Sequence, residues 1–347
     1  MFTVSVIIPT YNRADLLVRT VASVLDQTRP PDEVIIVDDG SADDTAAVCR
    51  SLPAAVRYVW QENTGLPGAR NRGITEARGD WIALCDSDDL WYPHKLEYQL
   101  AALAAVPDAA CCLTDCIRID GSDAPIPGDR SGFEGVFGAF GEHGLRPDEY
   151  FSEWLSQTVV ELGDHRSRVY YGDAFAMLFR GNIALPSSAL IARSAFDAVG
   201  LFDESFRVAE ETEFFHRVAA HAPIAILMEP LVGYRVGHAS IVSTATVRLI
   251  ENALESNRLA ALRRPLSETE RAEKDAGKRR LQRRLARARL SFLDRAGARA
   301  AVMDALKDGH TADLAALLAA TWLPLPALRG MHRAKRLVRA LRAGSQS

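Results

Sequence analysis

Carboxylates gather at three places in this 347-residue chain: Asp38-Asp39, Asp86-Ser87-Asp88-Asp89 and Glu210-Glu211. The first two follow the short apolar runs Val34–Val37 and Trp81–Cys85, so they stand where strands end. A lone acidic turn after a strand is an ordinary helix cap. Two such turns in one sheet bring like charges together, and these repel unless a cation or donor group compensates. Asp86, Asp88 and Asp89 offer hard oxygen ligands of the kind that hold Mg²⁺ or Mn²⁺. An ion bound by one or two carboxylates completes its shell with water and substrate phosphate, and would neutralise charge on a diphosphate leaving group. The stretch Asn63-Thr64-Gly65-Leu66-Pro67-Gly68-Ala69-Arg70-Asn71 opens a helix, and its glycines let backbone approach a ligand closely. It contains neither G-x-G-x-x-G nor G-K-S/T, which excludes a dinucleotide fingerprint and a P-loop. Arg70 within it either faces phosphate or lies on an exposed helix face. Glu210-Glu211 begins a helical stretch, where an acidic first turn also suits the helix dipole.

The elements that must carry these residues alternate in type. Val4–Ile8, Val34–Val37, Val56–Trp60 and Trp81–Cys85 are apolar runs of strand length. Between and after them, Ala14–Gln27, a stretch through Leu52, Pro67–Ala77 and Pro93–Val106 have helical spacing. Ser41-Ala42-Asp43-Asp44 reads as a capping box for the second helix, and Pro67 suits a first turn. Strands alternating with helices predict βαβ units and a mostly parallel sheet covered on both faces. In such sheets ligands bind beyond the carboxyl ends of the strands. A fifth strand is expected over Ala110–Ile119. Residues 120–181 read as irregular, glycine- and proline-rich and then aromatic. A strand near Ser187–Ala192, a helix near Glu210–Ala220 and a strand near Ile224–Tyr234 follow. From Thr244 the chain reads as helical, rich in alanine, leucine and arginine.

Hydrophobic residues at 48% and charged residues at 25% fit an ordinary globular chain. No apolar run reaches the roughly 20 residues that span a bilayer. The start reads as a strand rather than a signal peptide. The five cysteines, Cys49, Cys85, Cys111, Cys112 and Cys116, sit mostly in strand-like runs and point to a reducing compartment. The expected location is the cytoplasm. The net charge of −4 is unevenly spread: residues 251–347 hold 21 Lys and Arg against 10 Asp and Glu, and the preceding part holds 20 against 35.

Taken together, Val4–Arg13 (V-S-V-I-I-P-T-Y-N-R), Val37–Ser41 (V-D-D-G-S) and Gly79–Asp89 (G-D-W-I-A-L-C-D-S-D-D) resemble the family 2 glycosyltransferases of GT-A fold. The resemblance covers roughly residues 3–240. It implies an inverting, metal-dependent enzyme that transfers a sugar from a nucleoside-diphosphate donor to a hydroxyl acceptor. It implies that Pro9, Thr10, Tyr11 and Asp39 contact the donor's base and ribose. Arg70 would lie near the nucleotide, and Asp86 and Asp88 would flank the diphosphate, with Asp88 on Mg²⁺ or Mn²⁺. Gly200-Leu201-Phe202-Asp203-Glu204 and Glu210-Glu211 look like the family's G-x-F-D-E and E-D segments. The second residue of E-D is the catalytic base, which assigns that role to Glu211. Here glutamate replaces aspartate, and Glu210 is the rival. Tyr234-Arg235-Val236-Gly237-His238 resembles Y-R-x-H with one extra residue, implying that His238 approaches the metal or diphosphate.

The expected organisation is thus a GT-A type α/β domain over 1–240, with an acceptor-side insertion over 120–181, and a basic helical extension over 241–347. In the insertion Trp154, Tyr170, Tyr171 and Phe175 either stack on a saccharide or lipid-linked saccharide acceptor or pack internally. In the extension, Lys278–Arg289 and Met331–Arg342 either dock on an anionic membrane surface or form a helical subdomain. No nucleic-acid-binding motif accompanies the charge. A nucleotidyltransferase is the rival enzyme class, although Pro9–Arg13 does not look like its glycine-rich loop. An inactive binding protein is the non-enzyme rival.

Overall fold

The computed structural model describes residues 2–127, 146–237, 246–307 and 312–324. The first half alternates as its apolar periodicity requires. The elements are β1 (Val4–Thr10), α1 (Ala14–Leu25), β2 (Glu33–Asp38), α2 (Thr45–Ser51), β3 (Val56–Trp60), α3 (Leu66–Glu76) and β4 (Trp81–Leu84). A two-residue strand β5 (Leu90–Trp91), then α4 (Lys95–Ala105) and β6 (Cys111–Ile119), follow. Strands β3, β2, β1 and β4 are parallel neighbours, with Ile7 opposite Ile35 and Leu84. Successive residues of β1 serve opposite faces. Val4, Val6 and Ile8 enter one core and Ile7 the other, so the strand is buried on both sides.

The segment read as irregular is not so where it is described. It forms α5 (Pro147–Trp154), the hairpin β7 (Ser156–Leu162) and β8 (His165–Gly172), and α6 (Phe175–Arg180). Its aromatic residues drive this order: Tyr150, Phe151, Tyr170 and Phe175 are fully buried in the larger core. After it come β9 (Leu190–Ala192), α7 (Arg193–Val199), α8 (Glu210–His221) and β10 (Ile224–Arg235). The sheet order is β3-β2-β1-β4-β9-β6-β10-β8-β7, with β5 paired to β10. Strand β9 runs antiparallel between β4 and β6, which makes the sheet mixed. All five cysteines are buried and free.

Beyond β10 every described element is a helix: α9 (Thr246–Ala260), α10 (Glu268–Ser291), α11 (Arg295–Lys307) and α12 (Ala312–Ala320). They share a core of their own that includes Ile250, Leu281, Leu285, Val302 and Leu314. The leucines of Lys278–Arg289 pack inward, as the helical-subdomain reading of this stretch requires. Met331–Arg342 lies outside the described residues. No helix among the described residues is long and apolar enough to cross a membrane.

This helical layer rests on the sheet domain. His216 of α8 approaches Ser256 of α9 at 3.2 Å. Gly277 of α10 lies directly against the Phe179 carbonyl of α6, where any Cβ would collide with that backbone.

Candidate active site

The acidic turns converge through the loop after β1. Asn12 takes a left-handed conformation (φ 51°), which asparagine tolerates better than most residues. Its backbone N–H then donates to the Ser41 hydroxyl at 2.9 Å, and its side-chain oxygen accepts from Ala42 N at 2.8 Å. Ser41 is thus committed to the β1 loop and does not close the expected capping box. Asp43 instead accepts from Thr45 N at 3.1 Å. On the other side Arg13 lies 3.8 Å from the Asp88 carboxylate. One rim accordingly joins the ends of β1, β2 and β4.

Asp39 is buried on this rim, and its carboxylate holds the loop before α3. Oδ1 accepts from Gln61 Nε2 at 2.7 Å and Thr64 N at 2.9 Å, while Oδ2 accepts from Gly65 N at 2.8 Å. Gly65, at φ 90°, supplies a backbone turn that side-chain-bearing residues avoid. Pro9 is buried in β1 opposite Val37. Thr10 is also buried, yet its hydroxyl has no hydrogen-bond partner. Tyr11, just beyond the strand, is half exposed.

Arg70 is neither exposed nor idle. It is wholly buried, donates to Asp86 Oδ1 at 2.6 Å, and forms a second ion pair with Glu210 of α8. Burial opposes its charge, but the two carboxylates more than offset this and hold the guanidinium firmly protonated. The pair joins the end of β4 to the start of α8 and gives the two glutamates different partners. Glu210 is committed to Arg70. Glu211 is not: it takes one hydrogen bond, from Asn182 Nδ2 to Oε1 at 3.0 Å, and it lines a cavity. Burial, and then the charge of Glu210, push its carboxyl up to about 8. The residue before them, Ala209, holds a left-handed conformation (φ 58°), a strained state for alanine.

The acidic turn after β4 divides its labour. Asp89 is buried, accepting from the Ser187 hydroxyl at 2.5 Å and from Arg235 N at 3.1 Å. Burial first, and then the charges of Asp88 and Asp86, hold its carboxyl well above the usual carboxylate range. Ser187 also accepts from Asp86 N at 3.0 Å, which ties the turn to the chain before β9. Asp86 is bound to Arg70, Asp89 lies inside the fold, and Asp88 lies 3.8 Å from Arg13. A Mg²⁺ or Mn²⁺ ion here would take Asp88 as its protein carboxylate, with water and diphosphate in the remaining positions. No cluster of three or more metal-ligating side chains occurs among the described residues. His238 lies outside them.

A cavity of about 670 Å³ opens beside these groups. Its lining includes Asp86, Arg70, Glu210 and Glu211, then Asn182 and Pro186, and then residues of α9 and α10. The aromatic residues Trp154, Tyr170, Tyr171 and Phe175 are not part of it. Of the two readings of these rings, packing describes Tyr170 and Phe175, which lie in the core, while Trp154 lies beneath the Arg180 guanidinium at 4.7 Å. Sequence reasoning missed Asn182, which falls between the stretch read as irregular and the next expected strand, and Ser187, whose partners are about 100 residues away.

Residues 5–171 match the model described as glycosyl transferase family 2. The match covers just under half of the chain. A glycosyltransferase of Rickettsia felis is 46% identical over 100 residues, 28% of this chain and 16% of the relative. The Bacillus subtilis protein named as a putative teichuronic acid biosynthesis glycosyltransferase, TuaG, is 45% identical over 101 residues, 28% of this chain and 40% of its own. The chain thus spans well under half the length of either relative. Among solved structures, S. aureus TarS 1-349 in complex with UDP-GlcNAc aligns with a TM-score of 0.59 at 20% identity, covering 91% of this chain and 84% of that one. That likeness is one of fold: a mostly parallel sheet flanked by helices. The whole helical layer built by α9–α12 lies beyond the stretch the family model matches.

Proposed function

We propose that the protein is an inverting glycosyltransferase that moves a sugar from a nucleoside-diphosphate donor onto an acceptor hydroxyl. The observation that carries this reading is the Asp86–Arg70–Glu210 bridge. It brings the acidic turn after β4 and the cavity carboxyl of Glu211 to one place from positions far apart in the chain. The unpartnered Thr10 hydroxyl and the Asp39-braced loop form the nucleoside end, with Pro9 and Tyr11 beside them. TarS is bound to UDP and to UDP-GlcNAc in its structures, which supports a uridine donor here. The name of the Bacillus relative supports a role in cell-surface polysaccharide synthesis.

Glu211 would take the proton from the acceptor hydroxyl, a step that contributes roughly 10²–10⁴-fold in rate. The oxygen then attacks the anomeric carbon opposite the diphosphate. The carbon–oxygen bond to the β-phosphate breaks, the nucleoside diphosphate leaves, and the configuration inverts. Asn182 holds the carboxylate in orientation through its amide. Arg70 pairs with both Asp86 and Glu210, which leaves the Glu211 carboxyl facing the cavity. A Mg²⁺ or Mn²⁺ ion at Asp88 would offset the charge of the departing diphosphate.

Calorimetric titration of nucleoside diphosphates and their sugars, with and without Mn²⁺, tests the reading. Binding of UDP, tightened by Mn²⁺, is the expected result; a chain that binds none of them has no donor site.

A further inference from the structure

The cavity is asymmetric. Its lining begins at Asp86 and Arg70 but excludes Thr10, Asp39 and Asp88, so it runs from the diphosphate end away from the nucleoside end. Its other wall belongs to α9 and α10, which contribute Leu249, Ala253, Leu281, Arg280 and Arg284. The close approach of α10 at Gly277 brings this wall to α6, where Arg280 donates to the Phe179 carbonyl at 3.1 Å. Arg284, one turn further, is exposed at the cavity and has no ion-pair partner among the described residues. Six arginines and three carboxylates line the space; Arg70 holds two of those carboxylates, and Arg180 pairs with Glu153 and Glu273. Guanidinium groups in a cleft of this kind select planar or tetrahedral oxyanions.

We infer that the acceptor carries an anionic group, phosphate or carboxylate, that binds Arg284 and Arg280 while its hydroxyl lies at Glu211. The inference rests on the donor reading above and names the substrate class of the same site. The α9–α10 layer is then part of the binding site rather than an appendage, and it gives the enzyme its choice of acceptor.

Calorimetry with glucose 6-phosphate, glucuronate and glucose tests this, each titrated with and without saturating UDP and Mn²⁺. One or both charged sugars should bind roughly tenfold or more tightly than glucose, as expected for a charge-assisted contact. Which of the two wins distinguishes a phosphate from a carboxylate acceptor. Arg284→Glu should erase the preference, and Arg280→Gln, which can still donate to Phe179, should weaken it. Arg279→Glu changes the charge of α10 equally but lies outside the cavity lining, and should keep it. Equal binding of charged and neutral sugars, or a preference that survives in the Arg284→Glu, Arg280→Gln double variant, overturns the inference. Failure of UDP to bind would overturn the donor reading instead, and the titrations without UDP would still decide the anion preference.

Discussion

Replacing Glu211 by Gln keeps the side chain's shape and its capacity to accept from Asn182, but removes the proton that titrates. In the folded protein this carboxyl has a pKa of about 8, against 4.5 for an unperturbed glutamate. The folded state therefore holds a proton that the unfolded chain releases between those two values. Stability falls as pH rises through that window, by up to ~1.4 kcal/mol per pH unit and ~5 kcal/mol in all. The loss is complete above about pH 8 and absent below 4.5. The Gln variant has no such proton, so it should match the parent near pH 5 and exceed it by several kcal/mol at pH 9. Urea unfolding of both proteins at half-unit steps from pH 5 to 9 measures the difference directly and requires no acceptor. The same carboxyl must be ionised to act as base. Sugar transfer by the parent should thus rise with pH and level off above about 8, while the variant loses about 10²–10⁴-fold in turnover. Parallel stability curves for the two proteins across this range would refute the reasoning, because they would mean that Glu211 is not held protonated by its surroundings.

Thr10→Val removes a buried hydroxyl that has no partner in the free protein. It should leave stability nearly unchanged and weaken UDP binding about three- to tenfold by calorimetry. Arg70→Met breaks the bridge between β4 and α8 and leaves Asp86 and Glu210 uncompensated. A loss of roughly 3–5 kcal/mol in urea unfolding is expected. Asp88→Asn should abolish the strengthening of UDP binding by Mn²⁺ while UDP alone still binds, which calorimetry with and without the ion reads out. Ala209→Gly relieves the left-handed residue ahead of Glu210 and should stabilise the protein by up to about 1 kcal/mol, visible as a higher urea midpoint.

Local pattern was sufficient for much of this protein. The β-branched runs of β1 and β2 and the apolar run of β4 can satisfy their side chains only inside a sheet covered on both faces. The polar residues following them then fall at one edge because parallel strands end together. Asp39, Asp86 and Asp88 were legible as rim residues for that reason. The aromatic stretch after β6 was not legible, since its residues carry no helical or strand period strong enough to show that Tyr150, Phe151, Tyr170 and Phe175 meet in one core. Which of Glu210 and Glu211 is ion-paired could not be read locally either. Both open the same helix, and only a guanidinium 140 residues earlier in the chain takes one and leaves the other. The leucines of α10 read as a free amphipathic face until α9 and α11 covered them, which left Arg280 and Arg284 at the cavity. Sequence determined which segments are buried and where charge must collect, because burial follows from side-chain type and period. Tertiary structure alone decided which charges compensate one another, because an ion pair depends on where two distant segments meet.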